Sequence, residues 1–246
     1  MQPEYHVAIA GWAIRTGQAG LFEGDGSHLQ RYASRFSAVE INSSFYRSHK
    51  RETYQRWADT MPPAFRFAVK MPKALTHEAG LQDTGAALTQ FIREIGGLGS
   101  KLGAVLVQLP PGLAYDPRMV ESFFTALRAR YRGPAVCEPR HPTWFTGAAD
   151  RRLAAHGAGR VAADPSCGEH GDEPAASERI AYFRLHGSPV MYQSSYDDHY
   201  LDRLAARMRE LARERPVWCV FDNTARGAAT LNALSLAERL GIGPAA

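Results

Sequence analysis

Cysteine is scarce: Cys137, Cys167 and Cys219 are the only three in 246 residues, and no two of them make a Cys-x-x-Cys pair. That excludes a closed disulfide framework and a redox motif, and it suits a reducing cytoplasm. Long apolar runs are missing too. The longest, such as 102–111, fall far below the roughly 20 residues a membrane helix needs, and 1–12 lacks a charged start followed by an apolar core. No membrane or export segment is therefore expected. There is no His-x-His, His-Glu-x-x-His or Cys/His cluster, and the nine histidines are scattered. No glycine-rich phosphate loop appears, since Gly96, Gly97 and Gly99 follow a helical stretch and read as its stop. Nor is there a strong excess of one charge: 29 Lys and Arg against 25 Asp and Glu give +4. The dense basic stretch at Arg203, Arg207, Arg209, Arg213 and Arg215 is interleaved with Asp202, Glu210 and Glu214, which reads as a solvated helix face rather than a phosphate track.

What is present is an ordinary globular composition, 45% hydrophobic and 22% charged. Short runs rich in Val, Ile, Phe and Tyr at 7–12, 38–45, 66–71, 102–109, 135–140, 160–164, 180–186 and 217–223 read as strands. Helical periods lie between them at 28–36, 51–60, 84–96, 117–131, 149–156, 200–213 and 228–240. The exception is 165–178, a polar stretch broken by Gly168, Gly171 and Pro174, which reads as a long loop. Eight evenly spread strand signals with no linker predict an α/β fold of one domain over 1–246: a single (β/α)8 TIM-type barrel whose crossover helix after the sixth strand is reduced to a loop. An open sheet would give the same alternation.

In such a fold the C-terminal strand ends build the site. They carry Glu40 and Asn42, Lys70, Gln108, Glu138 with Arg140 and His141, Asp164, Arg184 with His186, and Asp222 with Asn223. Strand alternation puts Glu40 with Asn42, Glu138 with Arg140, and Arg184 with His186 on common faces. Carboxylates and guanidinium groups two residues apart are costly to bury unless they pair with each other or with a ligand, and carboxylates near cations are raw material for acid/base chemistry. Structural ion-pair networks use the same residues. Trp12, Phe45, Tyr46, Trp144, Tyr192 and Tyr196 follow strand ends and either wall a pocket or pack a rim. Cys167 reads as inert. A divalent metal held across strands by Glu40, Glu138, Asp164, His141 and His186 is the less favoured alternative.

Several motifs resemble one family: Val39-Glu40-Ile41-Asn42-Ser43-Ser44-Phe45-Tyr46-Arg47, Lys101-Leu102-Gly103 leading to Gln108-Leu109-Pro110-Pro111, Glu138-Pro139-Arg140-His141-Pro142-Thr143-Trp144, Arg184-Leu185-His186-Gly187 and Phe221-Asp222-Asn223. In order and spacing they are similar to the YecE-like family, a domain of unknown function, and the smaller 65–70 and Thr76-His77 elements agree. The resemblance implies a TIM-type barrel and a cytoplasmic bacterial protein; the family's description as related to sugar isomerases is a likeness of fold. Two positions depart. Ala10 stands where a small polar residue is often found, and Asp222 stands for an expected asparagine, adding a charge.

The expectation is an enzyme for a small polar or anionic, sugar- or phosphate-bearing substrate. Glu40, Glu138, Asp164 and His186 would be its acid/base groups. Asn42, Tyr46, Lys70, Gln108, Arg140, His141, Trp144, Arg184, Tyr192, Asp222 and Asn223 would bind the substrate, with Arg140, Arg184 and Lys70 favouring anions. A nucleic-acid-associated protein and a non-catalytic ligand-binding barrel are the alternatives.

Overall fold

A computed structural model of the chain describes residues 3–243; 1–2 and 244–246, the ends of the domain expected over 1–246, lie outside the described residues. The strands are β1 (Tyr5–Ile9), β2 (Ala38–Ile41), β3 (Arg66–Lys70), β4 (Leu102–Gln108), β5 (Ala135–Glu138), β6 (Ala158–Arg160), β7 (Ala162–Asp164), β8 (Ala181–Leu185) and β9 (Val217–Phe221). The helices between them are α1 (His28–Ala33), α2 (Arg51–Asp59), α3 (Gly85–Ile95), α4 (Pro117–Arg128), α5 (Gly147–Ala155), α6 (Asp198–Leu211) and α7 (Ala228–Leu240). Each expected helix is present, and none forms in 165–178. No helix among the described residues is long and apolar enough to cross a membrane.

The fold is α/β and every strand pairing between named strands is parallel. The pairing falls into two sheets rather than one closed ring, with orders β1-β9-β8-β7 and β2-β3-β4-β5-β6. The run expected as one strand at 160–164 is divided at Val161, so that β6 pairs with β5 and β7 with β8. A parallel bridge between Ala10 and Glu40 touches the two sheets at their other edges.

Helix ends follow from local chemistry. Asp116 accepts from the amides of Arg118 and Met119 ahead of Pro117, and α4 then buries Val120, Phe123, Phe124 and Leu127. Asp197 caps α6 through the amide of Tyr200, and Ser27 with Gln30 forms a capping box on α1. One set of alternate strand residues packs under the helices. The other set forms a separate apolar cluster to which strands of both sheets contribute. There Ala8, Ala38, Ala68 and Ala104, small residues on β1 to β4, leave the room that Tyr182 and Trp218 fill. The rings of Tyr182 and Trp218 stack at 5.9 Å, and the indole reaches across to Gly103 at the start of β4.

A Cβ at Gly103 would stand 2.5 Å from Trp218 Cζ2. Because Trp218 is wedged between Tyr182 and His6, Gly103→Ala is expected to lower stability by about 1–3 kcal/mol. Gly112→Ala, where nothing lies within 4 Å, should stay within about 0.5 kcal/mol. Urea midpoints compare them, and equal midpoints would refute the wedge.

Candidate functional site

Strand alternation brings Tyr182, Arg184 and His186 to one face of β8 and its exit, and the register carries that face across both sheets. Arg184 is completely buried, and its guanidinium gathers three carboxylates. Nη2 lies 2.9 Å from Glu40 Oε1 and 3.0 Å from Asp222 Oδ2, while Nη1 lies 3.3 Å from Glu138 Oε2. Tyr182 donates to Glu40 Oε2 at 2.9 Å. His186 stands between two of the same carboxylates, Nε2 at 2.7 Å from Glu138 and Nδ1 at 3.1 Å from Asp222. Gln108, the register partner of Glu138 on β4, donates to it at 3.2 Å, and Arg140 approaches it at 3.5 Å while also bonding the Pro165 carbonyl.

Burial in itself disfavours every charge here, and the neighbours decide the outcome. For Glu138 burial pushes the pKa up, but the charges of His186 and Arg184 outweigh it and hold the carboxyl well below the usual range. Asp222 is lowered against the same penalty by Arg184 and His186. Burial opposes the protonated form of His186, yet Glu138 and Asp222 raise its pKa. Burial lifts the Tyr182 phenol, and Glu40 lifts it further.

Lys70 ends β3, is 6% exposed, and lies with its Nζ 4.2 Å over the Phe45 ring. Among the described residues it has no side-chain hydrogen bond and no ion pair. Desolvation, reinforced by Arg184, brings its pKa down to about 8 against the pull of Glu40, Asp222 and Glu138. His77, half-buried against the other edge of Phe45, is lowered by burial and by Lys70.

Other expected site residues stand differently. Asp164 does not join the cluster. Its register partner is Leu185 rather than Arg184, so it points to the helix side of β7, where it accepts from Tyr196 Oη at 2.9 Å and lines a groove of about 280 Å³ against α6. Trp144 is fully buried and donates to the Leu113 carbonyl, so it is core rather than pocket wall. His141 caps its own turn through Thr143. Tyr46 is 71% exposed and leans on the Phe45 ring. Asn223 is buried and braces the loop after β8, donating to the Ser194 carbonyl and Asn232. Asn42 lies just past β2 with a buried, unpartnered Oδ1. Tyr192, held at φ 65°, sets its ring edge-on to His186 at 5.7 Å. The turn that delivers it starts at Gly187, φ 93°, where a Cβ would meet the Ser194 carbonyl at 2.9 Å.

Of the three cations expected to favour anions, Arg184 is ringed by carboxylates and Arg140 leans on Glu138, so only Lys70 carries no ion pair among the described residues. The cross-strand metal set is likewise not assembled, since Asp164 and His141 stand apart and a guanidinium occupies the space between Glu40, Glu138 and Asp222. Among the described residues no three His, Cys, Asp or Glu side chains are grouped as metal ligands. Cys167 is partly buried with its sulfur 3.8 Å from the Pro139 carbonyl, and burial raises its thiol pKa. Tyr182 is a member that the strand-end residues did not include, and His77, named only within a family element, stands beside the cluster against Phe45. The alternation that paired Arg184 with His186 reaches Tyr182 two residues earlier.

The sequence profile described as "Protein of unknown function DUF72" matches residues 6–246. The UPF0759 protein YecE of Escherichia coli K12 is 30% identical over 120 residues, 48% of this chain and 43% of that protein, so the match spans less than half of that relative's length. The UPF0759 protein YunF of Bacillus subtilis 168 is 23% identical across 96% of this chain and 95% of its own. Two crystal structures of DUF72 family proteins share the fold. The one from Enterococcus faecalis V583 has a TM-score of 0.81 at 18% identity, over 97% of this chain and 96% of that one. The one from Thermotoga maritima MSB8 has a TM-score of 0.80 at 23% identity, over 97% and 99%.

Removing Arg184 would leave three buried carboxylates facing one another, so Arg184→Ala is expected to cost about 3–5 kcal/mol in denaturant unfolding. Adding Glu40→Gln should recover part of that loss; no recovery would deny their coupling. A second expectation concerns pH. His186 in the folded chain titrates above its ordinary 6.5, so its contribution is full below that value and is lost as pH rises through the raised one. The stability advantage of wild type over His186→Gln should therefore be full below pH 6.5 and shrink as pH rises above it, and an advantage that stays constant would contradict it.

Proposed function

The chain belongs to the DUF72 family of proteins of unknown function, and from that premise we propose that it is an acid/base enzyme acting on a small polar or anionic, sugar- or phosphate-bearing substrate at the strand ends of a single (β/α)8 barrel. Three features support one barrel out of two sheets. The Ala10–Glu40 bridge joins them on one side, Val161 alone separates β6 from β7 on the other, and one apolar cluster draws on strands of both. The sugar-isomerase likeness of the fold is an analogy and selects no reaction.

The observation that carries the reading is His186, buried at the strand ends with a carboxylate on each ring nitrogen. That arrangement favours the imidazolium, a general acid able to protonate an oxygen that gains charge. The Lys70 amine, shifted in the opposite direction, completes a pair in which one group gives up a proton and the other takes it near neutral pH. Glu138 and Asp222 sustain the charge of His186, Glu40 and Tyr182 fix Arg184, and Arg140 and Tyr192 at the entrance meet the substrate's polar groups. The basic face of α6 does not favour a phosphate track: Arg207 pairs with Glu173 and Glu210.

Incubation of the protein with a polar metabolite extract at pH 7, followed by mass spectrometry, tests the proposal. A hydroxylated or phosphorylated compound should be consumed, and Glu138→Gln or His186→Gln should slow its consumption by about 10²–10⁴-fold while circular dichroism stays native. No consumption by wild type, or equal rates in the variants, would overturn it. DNA or RNA binding that persists at about 200 mM salt would promote the nucleic-acid reading instead.

A further inference from the structure

Four of the 29 Lys and Arg residues are lysines, and three of them have ordinary duties. Lys101 donates to the Ala58 and Met61 carbonyls at and just past the end of α2, Lys73 pairs with Glu78 at the surface, and Lys50 is exposed ahead of α2. Lys70 has none. It is buried at the end of β3 with its Nζ over the Phe45 ring, and among the described residues it makes no ion pair, while Arg184 and His186 contact Glu40 Oε1, both oxygens of Glu138 and Asp222 Oδ2. If a fixed positive charge were all that the position required, arginine, which the chain uses almost everywhere else, would supply it with more hydrogen bonds.

We propose that Lys70 is a nucleophile that forms a Schiff base with an aldehyde or ketone substrate, an inference that rests on the acid/base reading of the same cluster and names its substrate class. The neutral amine attacks the carbonyl carbon, and its lone pair makes the C–N bond while the C=O π pair moves to oxygen. One N–H proton passes to that oxygen, giving a carbinolamine. The hydroxyl then takes up a second proton and leaves as water while the nitrogen lone pair forms C=N. The step consumes one proton, releases one water and requires no oxidant or reductant. The cationic product carries its charge where the ammonium stood, in the field of the three carboxylates. An amine with a pKa of about 8 is about 10% neutral at pH 7, against about 0.04% for an ordinary lysine. The Phe45 face keeps it dehydrated, and desolvation is what makes lysine amines reactive toward carbonyls.

The test uses the full chain at pH 7 with glycolaldehyde and sodium cyanoborohydride, which reduces the iminium to a stable amine, and peptide mass mapping of the four lysines over time. Lys70 should be labelled at least about tenfold faster than exposed Lys50, because the larger free-amine fraction outweighs its burial. Lys70→Arg, folded by circular dichroism, should lose the fast adduct and keep the slow ones. Labelling of Lys70 no faster than Lys50 would overturn the inference and mark the residue as a counter-ion, even with the metabolite turnover and its dependence on His186 intact. Fast labelling in a protein that turns over no metabolite would uphold the nucleophile and count against the acid/base reading alone.

Discussion

The guanidinium of Arg184 holds the molecule's two halves to one another. Arg184 and Asp222 belong to the four-stranded sheet and its exit, whereas Glu40 and Glu138 belong to the five-stranded one. Dehydrating an arginine and three carboxylates costs several kcal/mol per ion, and only close, hydrogen-bonded pairing offsets that cost. Here the pairing crosses between the sheets. Neither can shift without uncovering a charge in an apolar interior, so the relative placement of all the strand ends depends on this contact.

The same contact sets the chemistry. By drawing Glu138 and Asp222 inward it brings both to the ring of His186, which becomes easier to protonate. Burial makes Lys70 easier to deprotonate, and the permanent positive charge of Arg184 adds to that effect. Two basic groups in one interior are thus moved in opposite directions: Glu138 and Asp222 raise His186 against burial and the charge of Arg184, whereas burial first and Arg184 second lower Lys70. Asp222, the residue that departs from the asparagine expected at its position, binds Arg184 and His186 at once.

Most of the fold is legible in the sequence because strand and helix periods, caps and breakers are local signals. The polar strand-end residues are legible because burying them demands a reason, and Glu40, Lys70, Gln108, Glu138, Arg140, Arg184, His186 and Asp222 do meet. Asp164 does not, because the chain turns at Val161 and the register beyond it sets Asp164 beside Leu185; nothing in the residues of that short run announces which side they will take. Trp144 misleads for a related reason. A tryptophan after a strand fits a pocket wall and a core equally well, and the Leu113 carbonyl that settles its place is 31 residues away. The solitude of Lys70 could not be read either, since it depends on where its Nζ lies relative to the Phe45 ring and to carboxylates drawn from three other strand ends.

Trp218 lies on β9, whose exit carries Asp222, about 13 Å deeper at roughly 3.3 Å per residue, and with Tyr182 and Leu106 it packs the interior beneath the charges. That plug closes the interior on the side of the strand starts, so in the reaction proposed above a substrate would approach His186 from the other side, where Tyr192 sets its ring edge-on to the imidazole. The short turn from Gly187 to Tyr192, which holds that ring at a positive φ, would then tie backbone strain to access.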